Sequence, residues 1–181
     1  MESRRVIMVR RHLEGIPQFA LPAGYSIRWY RPGDRAVWLR IHALAEKEVP
    51  TSAEIYEKQF AGDESERTRR QAFLLDAAGH EIGTASAWWN DDYHGQRFGR
   101  VHWVAIVPAQ QGKGLAKPLM TATCNRLSEL AHDNAYLTTW SNKLPAIQLY
   151  FVFGFEPDIR SAEDEATWQP ILDEIRRRKR G

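Results

Sequence analysis

Hydrophobic and polar positions change period several times along this 181-residue chain, and each change marks an element. Arg5–Arg11 reads as a strand, and a proline-broken stretch, "GIPQFALPAG" (15–24), follows it. "YSIRWYR" (25–31) alternates and carries aromatics, which predicts a second strand. From Asp34 to Glu48, Val37, Trp38, Ile41, Leu44 and Ala45 recur at helical spacing. "TSAEIYEKQF" (51–60) predicts another helix, with Thr51 or Ser52 and Glu54 as its start signal. "GDESERTRR" (62–70) has no apolar period and reads as a charged loop. Two strands around a turn at Ala77–His80 fit 71–89, a loop fits 90–96, and 99–108 is the most β-prone run. A helix from about Leu115 to Ala131, a strand at 135–140 and a helix over 144–155 stopped by Gly154 complete the pattern. Phe155 opens a last strand, and 161–180 is helical, interrupted at Pro170 unless that proline opens a new helix.

This order is α/β in class, with an antiparallel meander first and helical crossovers later. No internal repeat or low-complexity linker divides it, so the expectation is one domain over 1–181. Hydrophobic residues make up 43% and charged residues 27%, as in ordinary soluble proteins, and a net charge of +2 does not by itself argue for nucleic acid. The basic end "IRRRKRG" (175–181) keeps a nucleic-acid reading in play, although such a run at a helix C-terminus more often complements the dipole. The apolar run Val6–Val9 is cut off by Arg10 and Arg11, too short for a signal peptide, and no stretch approaches the ~20 apolar residues of a membrane span. The expectation is a cytoplasmic protein with no membrane partner. The single cysteine, Cys124, shares a helical stripe with Met120, Leu127 and Ala131 and reads as a buried hydrophobe. His132-x-x-x-Tyr136 and the scattered histidines lack metal-ligand spacing, so no metal is assigned. Of the seven Trp, Trp88, Trp89 and Trp140 hint at an aromatic-walled pocket suited to a cation.

The distinctive chemistry lies where the run ending in Pro108 gives way to a helix. A helix N-terminus carries unpartnered N–H groups and partial positive charge, and glycines ahead of it let an anion approach the backbone. Gly112 and Gly114 are placed for this, and Lys113 and Lys117 add charge. Pro118 clashes with a carbonyl four residues back, so the helix begins no earlier than Gly114 or Leu115 and the amides of 112–117 stay free. An ordinary strand–helix turn explains the glycines about equally well. The P-loop and Rossmann glycine patterns do not fit.

The segment resembles motif A of the GNAT superfamily of acetyltransferases: Gln111-Gly112-Lys113-Gly114-Leu115-Ala116, preceded by Ile106-Val107-Pro108. A second family signature follows one helix and one strand later, Ala146-Ile147-x-Leu149-Tyr150-x-x-x-Gly154-Phe155. The resemblance is firm over roughly 99–156, leaving 1–24 and 160–181 peripheral to the motif-bearing core. It implies a mixed, mostly antiparallel sheet of about six to seven strands with flanking helices, splayed between 101–107 and 135–140. It implies acetyl-CoA as acyl donor. The pyrophosphate would sit on the amides of Gln111 to Ala116 and the pantetheine beside Ala105, Ile106 and Val107, with an N–H of Ile106 or Val107 polarising the thioester carbonyl. Family members usually carry Asn where this chain has Lys143, and Asn142, one residue earlier, is the candidate contact.

The resemblance further implies acetyl transfer to a primary amine of a small molecule or peptide by direct attack. A silent acyl-CoA-binding protein is the alternative, and a homodimer stays open. An alkylammonium of pKa ~10.4 must lose a proton before attack, and the departing thiolate leaves better if protonated. The family places a Tyr near the sulfur, which makes Tyr150 the acid, although a core aromatic would also fit its helical face. The base is open. His102 has a suitable pKa on the strand before motif A, and Glu46, Glu48, Asp91, Asp92, His94 or a water are alternatives.

Overall fold

The computed structural model of the chain describes residues 3–46 and 50–180. Glu48, one candidate base, lies outside the described residues. Seven strands form one sheet: β1 (Arg5–Arg10), β2 (Ser26–Trp29), β3 (Gln71–Leu75), β4 (Glu81–Tyr93), β5 (Gln96–Ile106), β6 (Ala135–Trp140) and β7 (Glu156–Pro157). Their order is β2-β3-β4-β5-β6-β1-β7. The helices are α1 (Arg35–Ala45), α2 (Ala53–Gln59), α3 (Glu64–Arg70), α4 (Ala116–Glu129), α5 (Leu144–Val152) and α6 (Ala162–Arg180).

All pairings are antiparallel except that of β5 with β6. Those two strands run parallel and meet only at Gly99–Ala135 and Arg100–Tyr136. Beyond this point they diverge, and the expected splay is present. On one side of the sheet Trp38, Ile41, Tyr56 and Phe60 of the first helices pack on Phe73 and Trp88. A second core gathers Met120, Cys124 and Leu127 of α4, Ile147 and Tyr150 of α5 and Trp168 and Ile171 of α6 against Val101 and Leu137. Cys124 is fully buried there, and burial pushes its thiol up to about 12.

Three expectations change. Residues 64–70 form a helix rather than a loop. Asp63 caps it through Ser65 N, and Glu66 pairs with Arg69 and Arg70 one turn on, which stabilises a helix without an apolar face. Residues 90–96 are not a free loop, because β4 runs to Tyr93 and β5 starts at Gln96, closed by His94 and Gly95 in left-handed conformations. α6 runs through Pro170 without a break.

The chain ends also take part in the fold. Residues expected outside the motif-bearing core are built into it. β1 inserts between β6 and β7, with Val6, Met8 and Val9 buried. Trp168, Ile171 and Ile175 of α6 close the same core. Arg10 ties the N-terminal segment to the end of α5: its guanidinium donates to the carbonyls of His12 (2.7 Å), Glu14 (2.6 Å) and Phe153. The last is at the C-terminus of α5, where a cation also meets the helix dipole.

Candidate active site

Two cavities meet where β5 leaves β6. The larger, about 550 Å³, lies between the end of β5, the start of α4 and the exposed side of α5. The smaller, about 310 Å³, lies between β5, β6 and the end of α1. Val104, Ala146 and Tyr150 line both and form the junction.

The larger cleft gathers Ala105, Ile106, Gln111, Gly112, Gly114, Leu115 and Ala116 as anticipated. Gly112 and Gly114 both have φ of 76°, a left-handed conformation costly for other residues, and a Cβ on either would meet open space. α4 begins at Ala116, as the ring of Pro118 requires. Among the described residues, the amides of Gly112, Lys113, Gly114 and Leu115 make no hydrogen bond. Of these, Gly112, Gly114 and Leu115 line the cleft, and free N–H groups there next to a helix N-terminus fit the diphosphate of a coenzyme. Gln111 plays a different part. Its amide is engaged by the carbonyl of Pro108 at 3.2 Å, while its side chain donates to Ile106 O at 2.8 Å and pins the turn to the strand. Lys113 reaches Gln110 Oε1 at 2.7 Å and, like Val107, lies outside the lining of the cleft.

Strand register settles which main-chain donor faces the gap. Val107 donates to Ile82 O of β4 at 2.8 Å, so its N–H is unavailable for a thioester carbonyl. Ile106 pairs with Gly83 one step along, and alternation turns its N–H and C=O away from β4. The Gln111 contact with Ile106 O agrees with this direction. A bulge aims the strand. Thr84 faces Ala105 and Ser86 faces His102, so Trp103 and Val104 together oppose Ala85. Trp103 takes φ of 51°, strain of about 1–3 kcal/mol for a bulky residue, held by Trp38 and His42 with ring centroids 5.0 Å away.

Tyr150 is fixed by the end of its helix. Phe155 N donates to Tyr150 O and Gly154 N to Phe151 O, both at 3.0 Å, a Schellman closure with Gly154 at φ 71°. Its hydroxyl makes no hydrogen bond among the described residues. Burial, and then the Glu46 carboxylate, push its phenol up to about 12, so it stays protonated at neutral pH. Asn142 is exposed and lines neither cavity. Lys143 instead enters the smaller cavity and pairs with Glu46 Oε2 at 3.0 Å. Pro145, Gln148 and Val152 also line the larger cleft. Only the exposed spacing of α5 hints at them in the sequence.

The smaller cavity is lined by His42, Glu46, Arg100, His102, Thr138 and Trp140, among others. His102 is buried with Nε2 unpartnered among the described residues. Burial, the Arg100 charge and His42 hold it well below 6.5. His42 is pushed down to about 3 by burial, only partly offset by the Trp103 main chain, which lies outside regular hydrogen-bond geometry. Both imidazoles are therefore neutral, and the lowering weakens each as a base. Asp91, Asp92 and His94 are remote from both cavities, at the β4–β5 tip. Asp91 binds Arg97 and Trp89 Nε1, Asp92 accepts from Gly95 N, and His94 faces Asp158. Trp88 and Trp89 stack on each other in and beside the core, while Trp140, with Trp103, does line the cavity. The basic tail is largely answered by its own helix: Arg176 pairs with Asp173, and Arg177 and Arg178 with Glu174. No helix among the described residues is long and apolar enough to cross a membrane.

Comparison with known proteins agrees with this geometry. The profile of the acetyltransferase (GNAT) family matches residues 37–155. A mycothiol acetyltransferase from Pseudarthrobacter chlorophenolicus is 32% identical over 148 residues, 77% of this chain and 45% of that protein. The chain thus spans about half the length of the curated relatives it matches. A GCN5-related N-acetyltransferase from Sphaerobacter thermophilus superposes with a TM-score of 0.70 at 18% identity, over 85% of this chain and 48% of that one. An Arabidopsis thaliana structure solved with the bisubstrate analogue CoA-Ac-MVNAL superposes with a TM-score of 0.56 at 15% identity, over 74% and 84% of the two chains.

Proposed function

Because the chain belongs to the acetyltransferase (GNAT) family, we propose that it moves an acetyl group from acetyl-CoA to a primary amine by direct attack. The observation that carries this reading is the row of free amides at Gly112–Leu115, opening on a cleft that meets a second, polar cavity at Tyr150. When bound, the coenzyme supplies an activated thioester. Its diphosphate belongs on the glycine turn, with its arm along Ala105 and Ile106. Gly112 and Gly114 leave room for the phosphates, and the N–H of Ile106, turned away from β4, is the donor placed to polarise a carbonyl. Tyr150, protonated at neutral pH, donates to the departing sulfur.

The acceptor amine enters by the smaller cavity. Glu46 supplies the carboxylate of that lining among the described residues and is the place for the ammonium proton, with Lys143 holding it. His102 and His42 stay neutral and orient water or amine through their unpartnered nitrogens. The acceptor named for the Pseudarthrobacter relative and the peptide portion of the Arabidopsis ligand are both compatible with an amine-bearing small molecule or peptide.

The test is a thermal shift. Acetyl-CoA raises the melting temperature of the protein, and Gly112→Glu or Gly114→Glu, which place a carboxylate where the diphosphate belongs, abolish the shift. An unchanged shift in both variants removes the site. Thiol release on adding an amine panel then separates an enzyme from a silent coenzyme binder.

A further inference from the structure

Among the described residues, the smaller cavity holds a cation without a counter-ion. Arg100 sits on β5, opposite Trp88 of β4 and beside Tyr136 of β6, and it lines the cavity. Its Nε is buried and has no hydrogen-bond partner among the described residues. Near its guanidinium among the described residues are the Tyr136 ring at 5.5 Å, the neutral His102 and Arg5, a like charge, and burial lowers its affinity for its own proton.

Arg100 is half-buried, and three other arginines largely shielded from water are treated differently. Arg28 is clamped by Asp34 and Glu81, Arg70 by Glu66, and Arg10 by three carbonyls. A guanidinium nitrogen withdrawn from water without a partner is costly, and among the described residues the fold leaves the Nε of Arg100 so where a ligand would enter. The rest of the lining does not answer it. Lys143 and Glu46 satisfy each other, and His42 and His102 are neutral at pH 7. Among the described residues the cavity therefore carries one positive charge in excess. Thr138 adds a second unmet group. It lies two residues beyond Tyr136 on β6, on the face that Tyr136 shares with Arg100, and its buried Oγ1 has no partner among the described residues.

We propose that the acceptor carries an anionic oxygen group, a carboxylate or a phosphate, in addition to its amine, and that Arg100 and the Thr138 hydroxyl seat that group. The planar fork of a guanidinium matches both oxyanions, and seating one would satisfy the donors left open. Arg100 is then a specificity residue, and no bond to it is made or broken. The inference rests on the acetyl-transfer reading for the direction from which the amine arrives.

The experiment compares ω-amino carboxylates, ω-aminoalkyl phosphates and ω-amino carboxamides of equal chain length. Transfer is read as kcat/KM from thiol release, and binding as quenching of the tryptophans in the CoA-loaded protein. The anionic members are expected to be preferred over the carboxamide by roughly ten- to a hundredfold, and the stronger of the two identifies the anion. Arg100→Gln brings the ratio towards one, and Arg100→Lys retains part of it. If Arg100→Gln does not fold, the wild-type ratio and Arg100→Lys still decide. Equal use of carboxamide and anions by the wild type, or an undiminished preference in Arg100→Gln, overturns the proposal while leaving acetyl transfer intact. Arg100-dependent binding of the anions without transfer to any amine supports the anion site and overturns the transfer reading instead.

Discussion

A phenol is a weak acid, and it serves a departing thiolate only if it is held protonated at the right place. For Tyr150, the proposed acid, the surroundings would supply both conditions: it sits at the junction of two cavities, behind a Schellman closure, with burial and Glu46 keeping its proton on. Removing the hydroxyl alone tests the role. Tyr150→Phe keeps the ring against Phe155 and should lower kcat by about a hundredfold or more. Acetyl-CoA should still raise the melting temperature of this variant, and a kcat within a few fold of wild type would rule out acid catalysis by Tyr150. A spaced signature marks Tyr150 as a candidate in the sequence, and the structure puts it where the two cavities join. His102 was legible as a residue type, but its pKa is lowered by burial, Arg100 and His42, none of which a strand pattern reveals. Ile106 and Val107 looked equivalent, and only the register of β5 on β4 separates them.

Among the elements, those with a strong period were readable and those held by partners were not. α4, α5 and β5 declare themselves through spacing, glycine stops and β-branched content. α3 is hidden because every stabilising feature is polar: the Asp63 cap, acidic residues in its first turn and arginines in its last. The hairpin at 90–96 is hidden because Asn90 and Tyr93 join the sheet through pairing with Phe98 and Gln96, against their neighbours' loop composition. β1 is readable as a strand, yet nothing local says that it belongs between β6 and β7. Arg10 is the contact that makes this position firm, and it gives a prediction. Arg10→Met keeps the length of the side chain but leaves the carbonyls of His12, Glu14 and Phe153 unanswered. Stability should fall by about 2–3 kcal/mol, seen as a lower urea midpoint with an unchanged slope. A midpoint equal to wild type would mean that β1 is held by its apolar contacts alone.

For the whole molecule, buried histidines set the response to acid. His42, His102 and His132 are all held below 6.5, the first two chiefly by burial and His132 by burial and Arg70, with folded values of about 3 for His42 and about 4 for His132. Below pH ~6.5 the unfolded chain takes up protons that the folded chain refuses. Stability is therefore complete above that value and falls as the pH drops, by up to about 1.4 kcal/mol per pH unit for each histidine. Glu66 and Glu81, held low by Arg70 and Arg28, add their loss only below the ordinary carboxylate range near ~4.3. Urea midpoints between pH 7 and 5 should thus fall steeply, and His132→Gln should remove about a third of the slope. A flat profile over that window would contradict the buried, neutral state of these rings.

The place of β1 also governs the order of assembly during synthesis. Val9 must wait for Tyr136 and then Glu156 before its two ladders can close. At about 5–20 residues per second, that delay is on the order of ten seconds. For that time an apolar β-prone tetrapeptide, Val6–Val9, leaves the ribosome with no partner. Arg4, Arg5, Arg10 and Arg11 bracket it. Such charges act as gatekeepers, discouraging another nascent chain from docking before the proper strands arrive.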